Sequence, residues 1–267
     1  MLTVGIAGLG AIGLKLAQEL DKGVEGLRLV AVASRDAGKA GAAVAGFRSP
    51  PKVVDLAGLA AEADVVVEAA PAAVFEAIVG PAVTAGKIAI VSSVGALLPR
   101  MHLVDAARAS GGRIIVPTGA LLGLDAVRAA AEGNVESVTL VTRKPPRGLA
   151  GAPYLDQHNI DVTTITTPTK IFDGTAREGA AGFPANVNVA AALALAGIGP
   201  DRTRLEIWAD PTVTRNTHTV KVEADTVRLS MTIENVPSAE NPRTGRITPL
   251  SLLACLRGLT ATLKVGS

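Results

Sequence analysis

Residues 2–7, LTVGIA, form a short apolar run that stops at Gly8-Leu9-Gly10-Ala11-Ile12-Gly13. No other stretch narrows the available folds as much. A helical pattern follows, with Leu14, Leu16, Ala17 and Leu20 on one side and Lys15, Gln18, Glu19 and Asp21 mostly on the other. A second apolar run, Leu27 to Ala33, comes next. Strand, G-x-G-x-x-G, helix and strand in this order form a dinucleotide-binding fingerprint, which a glycine pattern alone would not. Gly8 permits the tight turn, Gly10 admits a pyrophosphate close to the backbone, and Gly13 lets helix and strand pack closely. The helix N-terminus adds unpaired N–H groups and a positive dipole end. A Gly-rich turn that binds nothing is the bland alternative.

The end of the second run bears on cofactor choice. An acid about 20 positions after the glycines would hold the ribose 2′-hydroxyl of NAD. This chain has Ser34-Arg35 there, with Asp36 one step later. Arg35 suits a 2′-phosphate and Ser34 can hydrogen-bond it, which points to NADP, with use of NAD as well left open. A solvated Arg35 beside a helix-capping Asp36 fits the same residues. Further apolar runs at Asp64–Val67, Lys87–Val91 and Arg113–Val116 end in small-residue loops, among them Ala69-Ala70-Pro71 and Pro117-Thr118-Gly119-Ala120. Such loops lie where an open parallel sheet binds its ligand. Gly8, Gly10, Ala11, Ile12, Gly13, Ser34, Arg35, Ala70 and Pro71 are therefore the candidate cofactor contacts.

From about residue 121 the texture changes. Ser137–Thr142, Asp161–Phe172, Thr203–Ala209, His218–Glu223 and Val227–Ile233 read as strands, with one helix over 185–196 among them. The expected fold is α/β: an N-terminal Rossmann-type doubly wound parallel sheet, then an α+β domain with a mixed or antiparallel sheet. Boundaries are expected at 1–120, 121–245 and 246–267, the last a helix packing back on the body.

Composition excludes several partners. Of 267 residues 48% are hydrophobic but only 2% aromatic, and the formal net charge is +2. That balance gives no electrostatic case for nucleic acid or an anionic membrane, and little aromatic surface for base stacking. Cys255 is alone, so neither an intramolecular disulfide nor a cysteine-based zinc site is available, and no metal site is expected. The apolar run Val189–Ile198 is far short of the roughly 20 residues a bilayer span needs, and a soluble cytoplasmic protein is expected.

Among the three histidines, His102 reads as the start of a surface helix and His158 as an exposed loop residue. His218 differs. Period-2 alternation in NTHTVKV puts it on one face with Val220 and Val222, at the beginning of that face. A hydrogen-bonded core histidine would show the same pattern.

These residues carry a wider pattern. GLGAIG, VVVEAAP (65–71), VSSVGAL (91–97), PTGALLGLD (117–125) and TRKPP (142–146) occur in order, followed by FDGTAREGAAGFPANVNVAAALALAG (172–197), ADPTVTRNTHTVKVE (209–223) and IENVPSAENPRTG (233–245). Together they cover nearly the whole chain, which resembles the L-aspartate dehydrogenase family linked to NAD biosynthesis. The resemblance implies that the histidine of the N-x-H element, His218, is catalytic. It also implies that the alanine of the G-A element, Ala120, and the second asparagine of P-x-N-x-N, Asn188, bind the nicotinamide cofactor. Arg243 and Gly245 depart from the family's usual lysine and serine.

The implied reaction is oxidative deamination of L-aspartate by NAD(P)⁺ to iminosuccinate, then oxaloacetate and ammonium. An imidazole with a pKa near neutrality suits the proton transfers. Two substrate carboxylates need cations, for which Arg143, Lys144, Arg215 and Arg243 are available, with Thr118 and Asn186 as polar partners. Lys144 could instead be the base. A homodimer is expected. Two other readings compete: a reductase of another small dicarboxylate on the dihydrodipicolinate reductase plan, and a non-catalytic nucleotide-sensing module.

Overall fold

The computed structural model describes residues 1–184, 187–238 and 245–266. The chain divides into two units, one of Met1–Pro117 with Thr248–Val265, the other spanning Thr118–Ile247. No helix among the described residues is long and apolar enough to cross a membrane.

In the first unit, β1 (Leu2–Ala7), β2 (Leu27–Ala33), β3 (Lys52–Val53), β4 (Val65–Glu68), β5 (Ile88–Val91) and β6 (Arg113–Ile115) form one sheet. Their order is β3-β2-β1-β4-β5-β6 and every pairing is parallel. This is the strand order of a dinucleotide-binding α/β sheet, with the reversal between β1 and β4. The short β3 was not legible as a strand, because two residues carry no alternation to read. Val4, Ile6, Val65 and Val67 are fully buried, as the continuous apolar runs of a sheet covered on both faces require.

Helix Ala11–Asp21 buries Gly13, Leu16, Ala17 and Leu20. Gly13 thus takes the inward position that Leu14 was expected to share, and Leu14 is only half-buried. Helix Thr248–Thr260 joins this unit by placing Leu252 and Leu256 in one apolar cluster with Leu16, Ala17 and Leu20. It spans 13 residues of the 246–267 segment.

In the second unit, β7 (Val135–Lys144), β8 (Thr169–Thr175), β9 (Thr203–Ala209), β10 (Asn216–Ala224) and β11 (Arg228–Asn235) are ordered β11-β10-β7-β9-β8. β7 and β9 run parallel and the other pairs antiparallel, so the sheet is mixed. Val138, Leu140, Leu205, Ile207, Val220 and Val222 are buried on one face, and helices Ala176–Gly182 and Asn188–Ala196 pack on β9.

The Thr-rich segment 161–172 is not the continuous strand it suggested. Asp161 caps a 3₁₀ turn at Val162–Thr164, accepting from Thr163 N at 2.8 Å, while Thr164 Oγ1 donates to Asp161 O at 2.8 Å. These local side-chain bonds compete with ladder formation, and Pro168 delays the strand until Thr169.

Candidate active site

At the end of β1 the backbone of Gly8 takes φ +92°, and a Cβ there would lie 2.5 Å from Ala69 O. A Cβ on Gly13 would lie 1.9 Å from Gly8 O, so no larger residue fits between helix and turn. Gly10 meets the opposite condition: a Cβ there would meet nothing within 4 Å. It also occupies the N-cap of helix Ala11–Asp21 without a side-chain cap, and no acid sits in the first turn. Open space over uncapped N–H groups fits a pyrophosphate. Arg35 is exposed after β2 and Ser34 is half-buried. Asp36 caps the next helix, accepting from Lys39 N at 2.9 Å, so this acid already has a structural task.

Two strands along, Glu68 ends β4 with its side chain fully buried. Its carboxylate accepts from Ala70 N at 3.1 Å and Ser93 Oγ at 2.9 Å, and from Ser92 N and Ser93 N at 3.1 and 2.9 Å. Burial pushes its carboxyl above the ordinary range, and the donors from Ser93, Ala70 and Ser92 oppose that shift. The apolar run VVVE did not reveal this network, because its donors lie beyond the strand and in another loop.

In the second unit the buried face of the mixed sheet changes character along the strands. Val138 and Leu140 of β7 are followed on the same face by Thr142 and Lys144, all four buried. On β10, Val222 and Val220 are followed by His218 and Asn216. Register makes His218 the neighbour of Thr142 on one side and Ile233 on the other, and pairs Asn216 with Asn235. His218 is only 3% exposed, with Nδ1 at 3.0 Å from Thr142 Oγ1. Asn235 donates from Nδ2 to Ala120 O at 2.9 Å, while its buried Oδ1 has no partner among the described residues. Buried polar groups gathered at one end of an otherwise apolar face mark a site rather than a core.

The imidazole pKa does not lie near pH 7, where the expected proton transfers would place it. Burial, then the charge of Lys144, push its pKa down to about 3. The ring is therefore neutral throughout the ordinary working range. Among the described residues its hydrogen-bond partner is Thr142, on Nδ1. When Nδ1–H donates to the hydroxyl, Nε2 keeps a lone pair.

Comparison with known proteins agrees with both halves. A family profile described as "Aspartate dehydrogenase, C-terminal" matches residues 125–259, and one described as "Homoserine dehydrogenase, NAD binding domain" matches 8–117. The chain is 60% identical over 266 residues to an L-aspartate dehydrogenase of Bradyrhizobium diazoefficiens, covering 100% of this chain and 94% of the relative. It is 55% identical to L-aspartate dehydrogenase 3 of Bordetella bronchiseptica, covering 100% and 98%.

The chain belongs to the L-aspartate dehydrogenase family.

It is accordingly an NAD(P)-dependent oxidoreductase of the class that acts on CH–NH₂ donors. In fold it is similar to the crystal structure of aspartate dehydrogenase from Thermotoga maritima, with a TM-score of 0.78 at 24% identity and full coverage of both chains. A hyperthermophilic archaeal homoserine dehydrogenase in complex with NADPH shares the fold at a TM-score of 0.60 and 10% identity, covering 100% and 99%.

Among the family's candidate residues, the second unit brings His218, Lys144 and Ala120 into one region through Thr142 and Asn235. Sequence reasoning missed Thr142, Asn216 and Asn235, although the alternation that marked His218 also places Asn216 on its face. Asn188 opens helix Asn188–Ala196 with an exposed side chain, and Thr118 is exposed while its carbonyl accepts from Leu121 N at 3.0 Å. Ala70 is half-buried and Pro71 exposed after β4; Ala11 is exposed and Ile12 half-buried. Arg215 is exposed, 3.9 Å from Glu234. Asn186 and Arg243 lie outside the described residues.

Arg143, another candidate for a substrate carboxylate, does not share the face of Lys144. Strand alternation turns it to the opposite side, where it donates to Asp210 at 3.0 Å and lies 4.4 Å over the Trp208 ring. His102 pairs with Glu76 at 3.1 Å and His158 stacks on Tyr154 at 3.8 Å, so both have surface partners. No group of three or more metal-ligating side chains occurs among the described residues.

Proposed function

We propose that this chain oxidises L-aspartate to iminosuccinate, which water converts to oxaloacetate and ammonium, and that NADP⁺ is preferred over NAD⁺. The observation that carries this reading is the neutral, buried imidazole of His218 beside Lys144. A bound nicotinamide would supply the hydride acceptor. Gly8, Gly10, Ala11, Ile12 and Gly13 would hold the pyrophosphate, Ser34 and Arg35 the ribose 2′ position, and Ala70, Pro71, Ala120 and Asn188 the remainder.

Imine formation needs the lone pair of the substrate nitrogen, so the amine must be neutral as hydride leaves Cα. His218 Nε2 takes that proton, passes it to solvent, and, neutral again, accepts one from the water that attacks the imine carbon. Thr142 Oγ1 orients the ring through Nδ1, and when it accepts from Nδ1–H the Nε2 lone pair faces the substrate. Lys144 binds one substrate carboxylate. Its charge is then offset, which removes the second cause of the low imidazole pKa and makes the ring a better base when substrate is bound. Arg215, next to Asn216, and Thr118, two residues before Ala120, are the candidates for the second carboxylate, with Asn186.

The test is spectrophotometric. Aspartate with NAD⁺ and, separately, NADP⁺ should yield reduced cofactor; no absorbance change with either would overturn the reading. Arg35→Ala should weaken NADP⁺ about ten- to a hundredfold and leave NAD⁺ little changed, since a hydrogen bond to a charged group is worth roughly 1.5–3 kcal/mol. A homodimer in the cytoplasm completes the proposal, and sedimentation equilibrium tests the oligomeric state.

A further inference from the structure

Glu68 is a buried carboxylate that the reaction above does not use. Among the described residues no cation pairs with it, and its four hydrogen bonds come from Ala70 N, Ser92 N, Ser93 N and Ser93 Oγ. A buried charge without a counter-ion is costly, so its position needs a reason beyond packing. The donors divide between two loops. Ala70 follows β4, while Ser92 and Ser93 follow β5, the adjacent strand.

The same carboxylate reaches a third loop through packing. The backbone of Ala69 and Ala70 lies so close to Gly8 that a Cβ on Gly8 would fall 2.5 Å from Ala69 O and 2.9 Å from Ala70 Cα. Ala69 N donates to Ala7 O at 2.9 Å. The carboxyl ends of β1, β4 and β5 are therefore tied together around one side chain. In an open parallel sheet, that edge is where the ligand binds.

We propose that Glu68 is a positioning residue for the nicotinamide cofactor, fixing the Ala70 amide to the Ser92–Ser93 turn so that the loops after β4 and β5 keep the spacing that binds it. The proposal rests on the assignment of this unit as an NAD(P)-binding domain. Glutamine separates charge from shape. Its single oxygen can keep the Ser92 and Ser93 amides, and its NH₂ can donate to Ser93 Oγ, whose proton then turns to Ala70 O, 3.2 Å away. The Ala70 amide alone loses its acceptor. Glu68→Gln thus loosens the β4 loop without emptying the space.

The experiment measures dissociation constants for NAD⁺ and NADP⁺, together with kcat and both KM values, for the full-length parent, Glu68→Gln and Ser93→Ala. For Glu68→Gln the cofactor Kd and KM should rise about tenfold or more, the loss of one charge-assisted hydrogen bond. The aspartate KM should stay within twofold, and kcat at saturating cofactor should change far less than the cofactor KM. A purely structural role would lower the melting temperature and the active fraction without this split. A folded Glu68→Gln with cofactor Kd within twofold of the parent, or a fall in kcat with Kd unchanged, overturns the proposal. Should Glu68→Gln not fold, Ser93→Ala decides. It removes one donor, and a cofactor Kd raised about threefold at unchanged melting temperature supports the proposal, while an unchanged Kd overturns it. A parent that binds neither cofactor would instead overturn the cofactor assignment itself.

Discussion

His218 shows how far a side chain's chemistry depends on its surroundings. The same imidazole in solution would be half-charged near pH 6.5, whereas here burial and Lys144 hold its pKa at about 3. In the proposed reaction it enters neutral. His218→Ala should lower kcat by about 10²–10⁴-fold while cofactor binding is retained, measured by steady-state kinetics and a cofactor titration. Lys144→Met should raise the aspartate KM by roughly tenfold or more, the value of one charge-assisted hydrogen bond. It should also raise the His218 pKa, though not fully to 6.5, because burial is the larger cause. An NMR titration of the imidazole reads that shift directly. In the parent the same resonance should stay flat between pH 5 and 8.

At the scale of elements, the glycine turn and the mixed sheet use different means to place functional groups. The turn works by removing side chains, so that Gly8 and Gly13 admit backbone at distances no Cβ allows. The sheet works by alternation and register: one strand supplies Thr142 and Lys144, its neighbour His218 and Asn216. The C-terminal helix Thr248–Thr260 works by burial alone. Leu252 is fully buried against helix Ala11–Asp21, whose N-terminus is the proposed phosphate site. Leu252→Ala should cost about 2–5 kcal/mol of stability in urea melts, the usual range for a core leucine. With cofactor bound, part of that loss should be recovered by mass action.

At the scale of the whole molecule, buried titratable groups set the response to acid. His218 has a folded pKa below its unfolded value, so the unfolded chain takes the proton first as pH falls below about 6.5. The stability involved is present above pH 6.5 and is lost at up to roughly 1.4 kcal/mol per pH unit down toward the folded pKa. Glu68 has the opposite sign, since its carboxyl is raised and protonation favours the folded form. His218→Asn should therefore flatten the fall in stability between pH 6.5 and 5, and denaturant melts at several pH values check it. An equally steep fall in the variant would assign the acid response to other groups.

Local pattern determined much of this protein. The strand, glycine turn and helix that begin it are written within neighbouring residues, as is the alternation that puts His218 on the buried face with Val220 and Val222. Sterics and periodicity act over a few residues, which is why a sequence displays them. The segment 161–172 misled for the complementary reason: its threonines favour strand on average, but Asp161 and Pro168 supply stronger local alternatives. Only the tertiary structure decided which groups meet. Thr142 reaches His218 across 76 positions of chain, Asn235 reaches Ala120 across 115, and Glu68 reaches Ser93 across 25. Register between strands sets those pairings, and burial sets the charge states that follow. Both depend on the whole packed chain, so candidate residues could be named in advance while their protonation and partners could not.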